Sequence, residues 1–207
     1  MMMLGYALGS VVIIAIVWLA DGVRRIGAVS QGTPIGERPG TALLLIDLQS
    51  VFWDHGPYSD ASKSDTETVV LDEIDSAKAK GHPVVAVRQE WSIPSTKAIA
   101  RLTMKGQAIE GKPGNELVEP FAELVDSILV KRVQDSFETG ELDELLAMLE
   151  VGRLRVVGLD FNYCIQKTAL AARNRGYEVT VVKGGTLASA PTARAEERMA
   201  SRGVVLY

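Results

Sequence analysis

The stretch LRVVGLDFNYCIQKTALAARNRGYEVTVVK, residues 154–183, decides how the rest of this chain is read. It opens on an apolar run that suits a buried strand and turns at Gly158. It then enters a helix opened by Cys164 and closed by Gly176. A second apolar run, residues 177–182, follows at once. Strand, helix and strand in such close succession are the repeating unit of a parallel sheet. Cys164 is the only cysteine in the chain. A thiol at a helix N-terminus lies at the positive end of the helix dipole, which favours the thiolate. A lone cysteine is also commonly a small buried hydrophobe, so residues elsewhere must decide between the two roles.

Working outward, the same alternation recurs. TALLLI at residues 41–46 reads as a strand buried on both faces, and Asp47 ends it. Residues 66–80 carry apolar positions near helical spacing and stop at Gly81. HPVVAVR at 82–88 and SILVK at 127–131 are further strands, the second ending in Lys131. GELDELLAMLE at 140–150 is an amphipathic helix, residues 192–201 look helical, and GVVLY at 203–207 is a terminal strand. Residues 89–120 lose periodicity and contain several glycines and prolines, as an active-site cover would. Six short strands alternating with helices predict an α/β fold: a doubly wound, six-stranded parallel sheet in a Rossmann-like three-layer sandwich. In such a sheet ligands bind beyond the carboxyl ends of the strands, where strand order reverses. Asp47, Lys131 and Cys164 all fall at that edge. An acid there also caps turns, and a lysine there also marks where a strand meets water. Their shared edge is what makes a nucleophile, a base and a cation out of three scattered residues.

The chain has 207 residues, 47% of them hydrophobic, enough for one domain with an appendage. A net charge of −4 argues against a nucleic-acid partner, which needs a basic face. One cysteine excludes an intramolecular disulfide. His55 and His82, the two histidines, leave no ligand set for structural zinc, so no metal and no cofactor are expected.

Residues 1–20 contain no charged side chain, and residues 11–19 (VVIIAIVWL) are apolar throughout. A segment of about 20 such residues suits one helical bilayer crossing. Arg24 and Arg25 follow it, and the positive-inside rule then places the C-terminal domain in the cytoplasm. A hydrophobic helix buried in an oligomer interface is the alternative. Residues 21–40, glycine-rich and without apolar periodicity, read as a flexible linker. The expected organisation is therefore a single-pass membrane anchor at 1–20, a linker at 21–40 and a domain at 41–207.

Four segments of that domain, LLLIDLQSVF, GKPGNELVEPF, LVKRVQDSF and VVGLDFNYCIQKTALAARNRGYEV, stand in the order found in one family. The chain resembles the isochorismatase-like cysteine hydrolases, which include nicotinamidases and N-carbamoyl amidases. The resemblance implies an Asp–Lys–Cys triad of Asp47, Lys131 and Cys164. It also implies a cis peptide at Leu159–Asp160 beside the oxyanion site, and an Asp-x-Gln element at Asp47 and Gln49. The substrate would be a small amide, imide or carbamoyl compound, hydrolysed through a thioester, and members are often homo-oligomers. Gln49, Phe52, Trp53, Glu90 and Trp91 are the candidate substrate-binding residues. Two departures stand out: Phe161 occupies a position where members often carry threonine, and RQEWSIPS lacks the Asp-x-His element of zinc-binding nicotinamidases. A thiol redox protein, for which no resolving cysteine exists, and a catalytically idle membrane-tethered interaction module are the competing readings.

Overall fold

β1 (Gly40–Ile46) shows why this sequence forms the centre of a sheet. Its alternate residues serve two different cores. Ala42, Leu44 and Ile46 pack with one apolar cluster, while Leu43 and Leu45 pack with another. Each fully buried leucine or isoleucine contributes about 1.5–3 kcal/mol, so a strand with both faces covered is held from both sides. In the computed structural model, which describes residues 2–207 with side chains from residue 12 onward, β1 pairs on either side with a parallel neighbour.

The other strands are β2 (Val84–Gln89), β3 (Ser127–Lys131), β4 (Val151–Gly158), β5 (Glu178–Thr186) and β6 (Val205–Leu206). The sheet is six-stranded and parallel, in the order β3-β2-β1-β4-β5-β6. The helices, in chain order, are α1 (Met2–Ile26), α2 (Ser50–Trp53), α3 (Asp60–Ala79), α4 (Pro94–Thr103), α5 (Glu141–Met148), α6 (Gln166–Asn174) and α7 (Ala193–Ala200). On one face lie Leu142 and Leu146 of α5, Ala169 and Ala172 of α6, and Met199 of α7. On the other lie Val70, Ile74 and Ala77 of α3, with Trp53 and Phe121 edge to face at 5.6 Å. The doubly wound architecture and all six strands are as expected from the apolar runs.

Strand order reverses between β1 and its neighbours β2 and β4. Chain leaving β1 and chain leaving β4 therefore separate in opposite directions and open a crevice. Gly158 closes the approach beneath it. Its φ is +117°, and a Cβ there would collide with the backbone of Ile46.

The N-terminal region departs from expectation. Among the described residues no helix is long and apolar enough to cross a membrane. The side chains of residues 1–11 lie outside the described residues. The expected transmembrane anchor at residues 1–20 thus has no support in the structure. α1 extends six residues past the expected segment, and its last turns dock on α4: Leu19 and Ile26 pack with Ile99 and Ala100, and Gly22 lies directly over Ser95. Nor are residues 27–39 a free linker. Ser30 N–H donates to Asp135 Oδ2 at 2.7 Å, and Arg175 Nη1 donates to Ser30 Oγ at 2.9 Å. Ile35 N–H reaches the Arg175 carbonyl at 2.9 Å, and Val29 and Ile35 pack against the core. The segment forms neither helix nor strand, which is why it lacks periodicity, and its partners lie more than a hundred residues away in sequence.

Candidate active site

β1 delivers Asp47 to the crevice in an unusual backbone conformation, φ +55°, which aspartate tolerates better than most side chains. β3 ends on Lys131 and places its ammonium, completely buried, beneath the same crevice. β4 leads through the cis Leu159–Asp160 bond into a wide helical turn, Phe161–Ile165, that carries Cys164 and runs on into α6. The Ile165 N–H reaches back to the Asp160 carbonyl, which defines that width.

The three residues meet. Lys131 Nζ lies 3.0 Å from Asp47 Oδ2 and 3.2 Å from Cys164 Sγ. It also donates to Gln89 Oε1 at 2.6 Å and lies 3.3 Å from the Val133 carbonyl. A buried ammonium is tolerated only when its protons are matched by acceptors. Here four acceptors surround three protons. Asp47 Oδ1 has no hydrogen-bond partner among the described residues, which leaves one carboxylate oxygen free to accept a proton.

Burial governs the electrostatics. It pushes the Asp47 carboxyl above the usual carboxylate range, against the opposing pull of Lys131. Burial works to lower Lys131, but the charges of Asp47 and Cys164 outweigh it and hold the ammonium charged. Burial, followed by the Asp47 charge, pushes the Cys164 thiol well up in spite of Lys131. This corrects the expectation of a thiolate stabilised by a helix N-terminus. Burial beside the Asp47 charge thus favours the thiol over the thiolate, because the sulfur is removed from water together with an acidic neighbour.

A cavity of about 430 Å³ opens above Cys164. Phe52 and Trp91 line it, as do Leu159 and Asp160. Gln49, Trp53 and Glu90 do not, and each has a physical reason. Gln49 is fully buried and staples chain together: its Nε2 donates to the carbonyls of Gln89 and Asn115, and its Oε1 accepts from Gln89 N–H at 2.6 Å. Trp53 is in the core against Phe121. Glu90 turns away to pair with Arg88 at 3.0 Å.

Sequence reasoning passed over Gln89, the third anchor of Lys131, and Tyr58, whose hydroxyl donates to Asp160 Oδ2 at 3.2 Å. Met104, Gln107, Gln134 and Ser189 also reach the cavity. Gln89 carried a usable signal, since it ends a strand at the functional edge. Tyr58 and Ser189 carried none, because only the folded loops bring them near Asp160.

The isochorismatase domain family model matches residues 41–206. Among curated proteins, the nicotinamidase of Escherichia coli K12 is 26% identical, over 82% of this chain and 95% of that protein. Among solved structures, the pyrazinamidase of Pyrococcus horikoshii in complex with zinc superposes with a TM-score of 0.68 at 26% identity. That match covers 82% of this chain and 99% of the other. The N-carbamoylsarcosine amidase of Thermoplasma acidophilum gives 0.68 at 22% identity, covering 81% and 95%. The zinc of the Pyrococcus protein does not fit the residues present here. Among the described residues no group of three or more His, Cys, Asp or Glu side chains is arranged to hold a metal. The family match spans the whole sheet and all three residues that meet beneath the cavity, and on that evidence the chain belongs to the isochorismatase family.

Proposed function

We propose that this protein is a cysteine hydrolase that cleaves the C–N bond of a small amide, imide or carbamoyl compound. The observation that carries the reading is the buried Lys131 ammonium within hydrogen-bonding distance of both Asp47 and Cys164 at the floor of a cavity. Similarity to a nicotinamidase and to an N-carbamoylsarcosine amidase supports the bond type.

In this reading Asp47 Oδ1 takes the thiol proton as Sγ attacks the carbonyl carbon. Lys131 holds the carboxylate in place and stabilises the developing charge. The oxygen of the tetrahedral intermediate is received by the backbone N–H groups of Asp160 and Cys164. Collapse expels the amine, which leaves with the proton from Asp47, and a thioester remains. Asp47 then removes a proton from water, whose oxygen attacks the thioester. The acid departs and the proton returns to Sγ. Each oxyanion donor is worth about 3 kcal/mol of transition-state stabilisation.

Intact-mass measurement after mixing with a panel of primary amides and carbamoyl compounds tests this. An acyl adduct on Cys164 that decays with release of acid is expected. A stable mass increase of one oxygen would instead indicate a redox thiol, and an unchanged mass with every compound would indicate an idle site.

We also propose that residues 1–20 attach the chain to a membrane, with the domain facing the cytoplasm. The support is the sequence itself, which carries no charged side chain over residues 1–20. Full-length protein is expected in the membrane fraction, extracted by detergent and not by salt. Recovery in the supernatant without detergent would refute the attachment.

A further inference from the structure

We propose that the cavity above Cys164 filters substrates by charge, admitting uncharged amides and turning away those that carry a carboxylate, an inference that rests on the hydrolase reading above. Among the described residues, Asp47 and Asp160 supply the only carboxyl groups in its walls, and no lysine, arginine or histidine lines it. The nearby cation, Lys131, is shielded below the floor, its three protons shared among Asp47, Gln89, Cys164 and the Val133 carbonyl. It cannot turn to a second carboxylate without abandoning Asp47.

Asp160 is fixed as an anion-bearing wall by three donors. Tyr58 Oη donates to Oδ2 at 3.2 Å, Ser189 N–H donates to Oδ2 at 2.6 Å, and Asn162 N–H donates to Oδ1 at 2.8 Å. Burial, and after it the Asp160 charge, push the Tyr58 phenol far up, so it remains a donor throughout the working pH range. The rest of the wall is uncharged: apolar at Phe52, Pro57, Trp91, Met104 and Leu159, with the neutral polar side chains of Gln89, Thr103, Gln107, Gln134 and Tyr163 between them. A carboxylate entering this space would lose its water, meet no cation and approach a like charge beside the nucleophile. An amide carries its polarity in one group, which the triad and its neighbouring backbone can satisfy, and leaves its apolar body to the aromatic walls.

The lone cysteine allows a direct test on the full chain, whatever its substrate. Alkylation rates of Cys164 by iodoacetamide (neutral), iodoacetate (anionic) and 2-bromoethylamine (cationic) are measured at about pH 8. Each is divided by the same reagent's rate with free cysteine. The normalised iodoacetamide rate is expected to exceed that of iodoacetate by about tenfold or more. Gln134→Lys and Thr103→Lys, two wall positions on different elements, should each shrink that ratio by about threefold or more. Equal normalised rates for the neutral and anionic reagents would overturn the filter. So would preference for the anionic reagent, or failure of all three to react with the native protein. Selective alkylation together with no acyl adduct from any amide would refute the hydrolase reading while leaving the filter in place.

Discussion

Replacing Cys164 by serine is expected to lower kcat/KM by ~10⁴-fold or more, the scale seen when a covalent nucleophile is removed from a machinery that works as a unit. The fold should survive. Cys164 is small, its Sγ accepts from Lys131 Nζ at 3.2 Å, and a serine hydroxyl can accept from the same ammonium. Stability should therefore change by about 1 kcal/mol or less. Cys164→Ala should still bind substrate, since the aromatic walls are untouched. Comparing binding by calorimetry with turnover on the same preparations separates loss of chemistry from loss of the site. Retention of more than about one per cent of wild-type turnover in Cys164→Ser would exclude a thioester route.

Replacing Lys131 by methionine should have the largest effect on stability, because it strands a buried anion. Breaking a buried ion pair by removing one partner costs about 3–5 kcal/mol, since the remaining charge is uncompensated. Here that charge is Asp47, 2% exposed. The direction with pH follows from the sign of the shift. The Asp47 carboxyl already lies above its unfolded value, and loss of Lys131 moves it higher. The deficit relative to wild type should be greatest above that raised value, where the stranded group must ionise. It should shrink as pH falls through it, where Asp47 is neutral in the fold. Urea unfolding of both proteins across pH measures this. Adding Asp47→Asn to Lys131→Met should recover stability and leave activity abolished, which distinguishes an electrostatic loss from a packing defect.

Activity has a matching signature. Asp47 must be ionised to act as base, so the acid limb of kcat/KM in the wild type should lie above the ordinary carboxylate value of about 4. In Lys131→Met any residual activity should have that limb at still higher pH. A wild-type limb at or below the ordinary value would contradict the burial-driven shift.

Much of this arrangement is legible in the amino-acid sequence. The apolar runs ending in Asp47 and Lys131, and the turn between Gly158 and Cys164, announce strands whose ends carry chemistry. A strand buried on both faces leaves a continuous apolar signature, and that signature does not depend on its neighbours. The substrate wall is legible only in part. Phe52 and Trp91 reach the cavity while Trp53 and Glu90 do not, although each pair is adjacent in sequence. In a single helical turn such as α2, or just past a strand end such as that of β2, nothing local decides which of two neighbouring side chains turns inward.

Local pattern was enough for the strand alternation, the family and the three side chains that meet, because periodic burial and a strand's last residue are local properties. The upward push on the Asp47 carboxyl and the Cys164 thiol needed the packed molecule, since it reflects burial by several elements at once. Packing likewise assigned Gln49 to stapling and Gln89 to holding Lys131, two glutamines that composition cannot distinguish. It also turned the supposed linker into a strap, because Ser30 and Ile35 acquire their partners only when residues 135 and 175 arrive beside them. Contacts across more than a hundred residues are set by how layers pack, and no local pattern encodes them.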